Sequence, residues 1–249
     1  MHKNIILLFT FLILFNVDLR ASHAMGGELT YKWLDSTLVE FTFRFYRDCN
    51  GITAPSSVTV DGASAICGIS TSSVLNLDTF KVVPNVCPNV TTTCSGGVYQ
   101  GMEEYYYSSV VNVAQLACPD WEFTYSLCCR NDAITTLQNA SVESLYLRTT
   151  FNGQNGGINS SPVFNTPPYF SLYNNTTYKL DFSAKDYDGD SLSYKLVNPL
   201  TSQGSAIPYY PPYTAQNPFN SPNFSLNALT GELTVQTNAV LVTVISIQV

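Results

Sequence analysis

Residues Leu29 to Arg47 read LTYKWLDSTLVEFTFRFYR, and this stretch decides the fold class. Leu29, Tyr31 and Trp33 alternate with Thr30 and Lys32, Asp35-Ser36-Thr37 supplies a turn, and Val39, Phe41, Phe43 and Phe45 alternate with Glu40, Thr42 and Arg44. Successive side chains on a strand point to opposite faces, so the stretch reads as a hairpin with an aromatic face for a core and a polar face for solvent. Further strands are expected at Val58 to Val60, Tyr105 to Val113, Trp121 to Leu127 and Ser144 to Phe151. No window sustains a helical period; only Ile134 to Ala140 suits a turn or two of helix. Parallel strands need crossovers, usually helical, so the expectation is an all-β chain of antiparallel sandwiches.

Composition agrees with that reading. The chain has 249 residues, enough for one large or two ordinary domains with proper cores. Charged residues are only 12%, against about a quarter in an ordinary domain, while Tyr (16) and Phe (14) are abundant. These residue types suit pleated, half-buried surface. Eleven basic against 18 acidic residues give a net charge of -7, which excludes a phosphate-binding surface and hence nucleic acid as a partner.

Residues 1–24 carry Lys3, the apolar run Ile5 to Phe15 and then Ser22-His23-Ala24, the order of a secretory signal peptide. The run is too short to span a bilayer as an ordinary helix, and no later segment is an expected transmembrane span once the leader is removed. Export to the cell surface or the extracellular space is therefore expected. Beyond the leader the organisation reads as a cysteine-bearing sandwich over 25–151, a linker over 152–162 rich in Gly, Asn and Ser, and a second sandwich over 163–249 without cysteine. The second segment alternates at Tyr178 to Ala184, Leu192 to Leu196, Phe224 to Leu226 and Leu233 to Val235. A last strand from about Val240 runs off the end without a polar stop, which reads as a fragment of something longer.

Cys49, Cys67, Cys87, Cys94, Cys118, Cys128 and Cys129 all lie between 49 and 129. In an exported chain that clustering reads as disulfide stapling rather than zinc, since there is no C-x-x-C pair and the only histidines are His2 and His23. Parity sends Cys128 and Cys129 to opposite faces and so to different partners. It places Cys49 on the face of Phe41, Phe43 and Phe45, making Cys49 with Cys129 the first expected bridge and Cys87 with Cys94 the obvious local loop.

Asp186-Tyr187-Asp188-Gly189-Asp190 sets three carboxylates at alternate positions around a glycine. Hard oxygen ligands on a sharp loop suit calcium. The spacing is not that of an EF-hand, and a plain Asp-Gly turn joining strands 178–185 and 191–197 is the competing reading. The aspartates, followed by Phe224-Ser225-Leu226-Asn227-Ala228-Leu229-Thr230-Gly231-Glu232-Leu233-Thr234, resemble the cadherin-like and immunoglobulin-like repeats of bacterial surface proteins across 163–249. That resemblance implies calcium on Asp186 and Asp188 at a junction between domains, with Asp190 supporting the turn. In the first segment, Ser22 to Tyr31, Phe45-Tyr46-Arg47-Asp48-Cys49-Asn50-Gly51 and Cys128-Cys129-Arg130-Asn131 are similar to the opening module of large Bacteroidetes surface proteins of the gliding-motility and adhesin type.

Catalysis finds little support. A Ser-His or Cys-His device needs an imidazole beside its nucleophile. Glu103 and Glu104 would point to opposite faces; Asp120 and Glu122 would share one, but spacing alone does not set the separation that hydrolysis needs. The expectation is a non-enzymatic structural or adhesive protein whose partners are other surface proteins or glycans. The alternative is a carbohydrate-binding module presenting Tyr209, Tyr210 and Tyr213 to sugars.

Overall fold

The computed structural model describes residues 24–84, 89–154, 159–202 and 204–249. Seven strands form one antiparallel sheet: β1 (Ala24–Trp33), β2 (Leu38–Asp48), β3 (Ser57–Ser64), β4 (Ile69–Val82), β5 (Met102–Asn112), β6 (Trp121–Leu127) and β7 (Leu145–Phe151). Their order is β1-β2-β5-β4-β3-β6-β7. The expected hairpin is present, with Leu29 opposite Phe43 and Tyr31 opposite Phe41. Asp35 closes its turn by accepting the amide hydrogens of Thr37 and Leu38 at 2.7 and 2.8 Å.

The sheet folds over on itself. Rings on strands far apart in the hydrogen-bonded order touch: Phe41 and Phe123 lie 4.5 Å apart between centroids, Phe43 and Tyr125 4.3 Å, and Trp33 and Phe151 5.0 Å. One continuous sheet thereby supplies both layers of a sandwich, whose core holds Val39, Phe41, Phe43, Tyr107, Trp121 and Phe123 almost without exposure. Gly62 on β3 is required by this closure, because a Cβ there would sit 2.5 Å from the Phe123 ring. Gly62→Ala is expected to destabilise the chain by about 1–3 kcal/mol through overpacking, measured as a lower urea midpoint with unchanged slope.

The second segment contains β8 (Val163–Phe164), β9 (Thr177–Asp181), β10 (Ala184–Lys185), β11 (Lys195–Leu196), β12 (Phe224–Leu226), β13 (Glu232–Gln236) and β14 (Ile247–Gln248). A three-stranded sheet β12-β13-β9 buries Leu233 and Val235. The expected hairpin between 178–185 and 191–197 is not formed: β10 pairs with β8 and β11 with β14. The last strand is only the two residues of β14, and the chain before it bonds singly to other loops, as where the Thr135 amide donates to the Val242 carbonyl at 3.0 Å.

The two segments meet along bonded contacts. Ser161 and Ser160 of the expected linker cover the free edge of β1: the Tyr31 amide donates to Ser161 Oγ at 2.7 Å, the Ser161 amide to the Tyr31 carbonyl at 2.9 Å, and the Trp33 amide to Ser160 Oγ at 3.2 Å. An edge that would otherwise invite a foreign strand is closed by the chain itself. Leu137 and Ala140 share a second cluster with Ile207, Tyr209 and Ala215. This sharing explains why Ile134 to Ala140 is not helical. The Gln138 amide donates to the Pro208 carbonyl at 2.9 Å and the Tyr210 amide to the Thr136 carbonyl at 2.8 Å, so the backbone bonds across the segments, and only Ala140–Val142 makes a 3-10 turn.

Candidate functional site

The short motifs that carry the resemblance in the first segment come together at one end of the large sheet. Ala24 pairs with Arg47 on one side and bridges to Arg130 on the other. Asp48 is buried and accepts hydrogen bonds from Asn131 Nδ2 at 3.1 Å and Gln100 Nε2 at 3.0 Å. Arg47 pairs with Glu103 at 3.2 Å and donates to the Asp48 carbonyl, also at 3.2 Å. Arg130 donates to the carbonyls of Ser144 at 3.1 Å and Leu200 at 3.2 Å, binding the end of β6 to the second segment. Burial pushes its guanidinium down to about 10. These side chains join strands, and their polar atoms face the protein rather than an open cleft.

The cysteines secure the same end and the opposite one. Cys49 bonds Cys94, with Cα atoms 5.0 Å apart, and Cys67 bonds Cys118, at 6.3 Å. Cys128 bonds its neighbour Cys129. The expected pairs Cys49 with Cys129 and Cys87 with Cys94 are therefore corrected; Cys87 itself lies outside the described residues. Parity holds only while a strand continues. The strand alternation in β2 ends at Tyr46, Arg47 and Asp48, which are all buried, and Cys49 sits in the following turn beside the loop that carries Cys94. Likewise β6 ends at Leu127, before either of the adjacent cysteines.

On the outer face of β1, β2, β5 and β4 lies a buried charge ladder. Arg44 donates to Glu104 Oε1 from Nη2 at 2.7 Å and pairs with Glu28. Tyr106 and Tyr46 hydroxyls donate to the same Glu104 oxygen at 2.6 and 3.0 Å, and Lys81 lies 2.9 Å from Oε2. Burial alone would push the Glu104 carboxyl up; the hydrogen bonds from Tyr106, Lys81, Arg44 and Tyr46 outweigh it and hold it at about 2. Burial keeps Glu28 above its ordinary value despite Arg44. Glu104 is thus a structural anion with no exposed surface. Of the other carboxylates weighed for catalysis, Asp120 accepts from Ser64 Oγ and from the Ile66 amide in the β3–β4 turn, and Glu122 pairs with Arg148 at 3.2 Å.

The aspartate loop between β10 and β11 is a self-bonded turn. Asp186 Oδ1 accepts the amides of Asp188 and Gly189 at 2.8 Å and of Asp190 at 3.0 Å, and Asp188 accepts the Ser160 amide. Gly189 holds φ at 88°, a backbone region glycine enters without strain. Among the described residues no three His, Cys, Asp or Glu side chains form a metal-holding group. Asp188 fastens the linker that covers β1.

The three tyrosines of the 208–213 loop do not share one exposed face. Tyr209 is buried and donates its hydroxyl to the Val244 carbonyl at 2.9 Å, Tyr213 packs half-buried against the same cluster, and Tyr210 is 47% exposed. An open groove of about 610 Å³ lies elsewhere, on the outer face of β4, β3, β6 and β7, with Asp61, Ser72, Glu122, Thr124 and Tyr146 among its walls. Of these only Glu122 was singled out from the sequence; the others carry a weak signal, polar residues on the outward parity of four separate strands.

Comparison with protein-family models, curated proteins and solved structures finds no match for this chain. Among the described residues no helix is long and apolar enough to cross a membrane. The disulfides fit an oxidising environment.

Proposed function

We propose that this chain is an exported, non-enzymatic module of the cell surface that acts by adhesion or as a structural support, of the gliding-motility and adhesin type its motifs resemble. The observation that carries the reading is the convergence of Ala24, Arg47, Asp48, Arg130 and Asn131, whose polar groups are engaged in joining strands and segments. Arg47, Asp48, Glu104 and Arg130 hold the scaffold together. Two long-range disulfides and a covered sheet edge suit a part that bears load outside the cell.

Expression from residue 1 in a secreting bacterium tests the proposal. The expected product is found outside the cytoplasm, begins between residues 22 and 25 and is disulfide-bonded. Beads coated with it are expected to be retained on bacterial cells under flow, and beads coated with reduced, alkylated chain are not. Cytoplasmic retention of a fully reduced chain, or equal retention of both bead types, would overturn it.

A further inference from the structure

We infer that the outer face of β4, β3, β6 and β7 carries a binding groove for a neutral glycan. The inference rests on the adhesive reading above and names the chemistry by which this surface would hold its partner. Strand register builds the groove from residues distant in sequence. One row across the sheet runs Ser72, Asp61, Thr124, Arg148, and the next runs Ser70, Ala63, Glu122, Thr150. Ala63, outward on β3 with a single methyl, forms a low floor between the taller neighbours. The hollow of about 610 Å³ lies within the range of sites that take small molecules.

The polar groups of this groove are open to a ligand. The carboxylate of Asp61 and the hydroxyls of Ser70 and Ser72 line it and make no hydrogen bond with any described residue, so they are free to meet the hydroxyls of a ligand. The Glu122 carboxylate is drawn to one side by Arg148 at 3.2 Å, and the Tyr146 hydroxyl stands 3.5 Å from it. The Gly204 turn borders the Tyr146 ring, since a Cβ there would lie 3.7 Å from the hydroxyl, in ordinary van der Waals contact. The ring forms one wall of the groove.

This chemistry selects among ligands. An anion would meet Asp61, Glu122 and a net charge of -7. An apolar ligand would strip water from unpaired carboxylate and hydroxyl groups without replacing the hydrogen bonds. A divalent cation finds only two carboxylates, one of them already paired. A polyhydroxylated neutral chain satisfies the set: adjacent sugar hydroxyls donate to Asp61 and exchange hydrogen bonds with Ser70, Ser72 and Thr124, while a pyranose face lies against the Tyr146 ring.

Titration calorimetry of the whole mature chain with the neutral hexasaccharides of β-1,4-glucan, β-1,4-mannan and α-1,4-glucan, and with hexalysine, tests the inference. At least one neutral hexasaccharide is expected to bind, with affinity reduced about tenfold or more by the isosteric Asp61→Asn and by Tyr146→Ala. Tyr210→Ala is expected to leave it unchanged, and the isosteric Asp61→Asn, on an exposed carboxylate without a protein partner, keeps the parent melting temperature. No binding of any neutral probe at millimolar concentration, or binding insensitive to Asp61→Asn and Tyr146→Ala, would overturn the inference. So would hexalysine binding in place of sugar, since it would make the groove a cationic-peptide site. If the coated beads still adhere while the sugars fail, only the groove assignment falls and the adhesive reading stands.

Discussion

Replacing Glu104 with alanine is expected to lower the unfolding free energy by about 3–5 kcal/mol. Its carboxylate has no exposed surface and receives Arg44, Tyr46, Tyr106 and Lys81, so removing it leaves two cations and two hydroxyls around a void. Arg44 retains Glu28, but that carboxylate is itself buried and held above its ordinary value. The same residue sets a pH signature. A carboxyl held at about 2 when folded, against an ordinary 4.5, adds stability that is complete above 4.5 and is lost as pH falls toward 2. Glu28 acts with the opposite sign, its contribution being present below the ordinary value and lost as pH rises through its raised one. Urea midpoints between pH 5 and 2.5 are therefore expected to fall steeply in the parent chain and much less steeply in Glu104→Gln. Parallel slopes in the two proteins would contradict the ladder.

The second large effect belongs to the bridges. Cys67 and Cys118 are separated by 51 residues, and closing a loop of that size removes about 4 kcal/mol of denatured-state entropy. Cys67→Ser with Cys118→Ala is expected to destabilise by about that amount. Cys49→Ser with Cys94→Ala, spanning 45 residues, should cost about the same. The pair Cys128 and Cys129 joins neighbours and closes no comparable loop, so Cys128→Ala with Cys129→Ala should shift the midpoint much less. Guanidinium melts of the three double variants give the order directly. A loss at Cys128 and Cys129 as large as at the other two pairs would show that the staples do not work through the unfolded chain.

Much of the large sheet was legible because its core strands alternate cleanly. In β2 the pattern from Val39 to Phe45 puts every large apolar residue inside, and in β6 Trp121, Phe123 and Tyr125 do the same. β4 was not legible for a physical reason: Ser73 points inward and Val74 outward, so the hydropathy of Ile69–Val82 does not follow its pleat. Short strands of the second segment were placed near Phe224, Leu233 and Tyr178, yet their partners were not, because β8, β10, β11 and β14 are two-residue pairings fixed by neighbours rather than by pattern.

The candidate sites fared according to how local their geometry is. The aspartate loop announced a sharp turn, and the turn is there; the direction of each carboxylate depends on amides, one of them at Ser160, that alternation cannot place. The alternative carbohydrate-binding reading needs the tyrosine loop exposed, but Tyr209 fills a cluster with Leu137 that exists only once the two segments meet. The groove could not be seen at all before register was known, since Asp61, Ser72 and Thr124 become neighbours only through strand pairing.

The central claim is that one folded-over sheet is stapled through Cys49–Cys94 and Cys67–Cys118, presenting a rigid outer face. Peptide mapping of the exported chain without reduction, read by mass spectrometry, tests it most directly. The account predicts cross-linked peptides joining 49 to 94 and 67 to 118. Recovery of Cys49 joined to Cys129, or of Cys94 joined to Cys87, would contradict it.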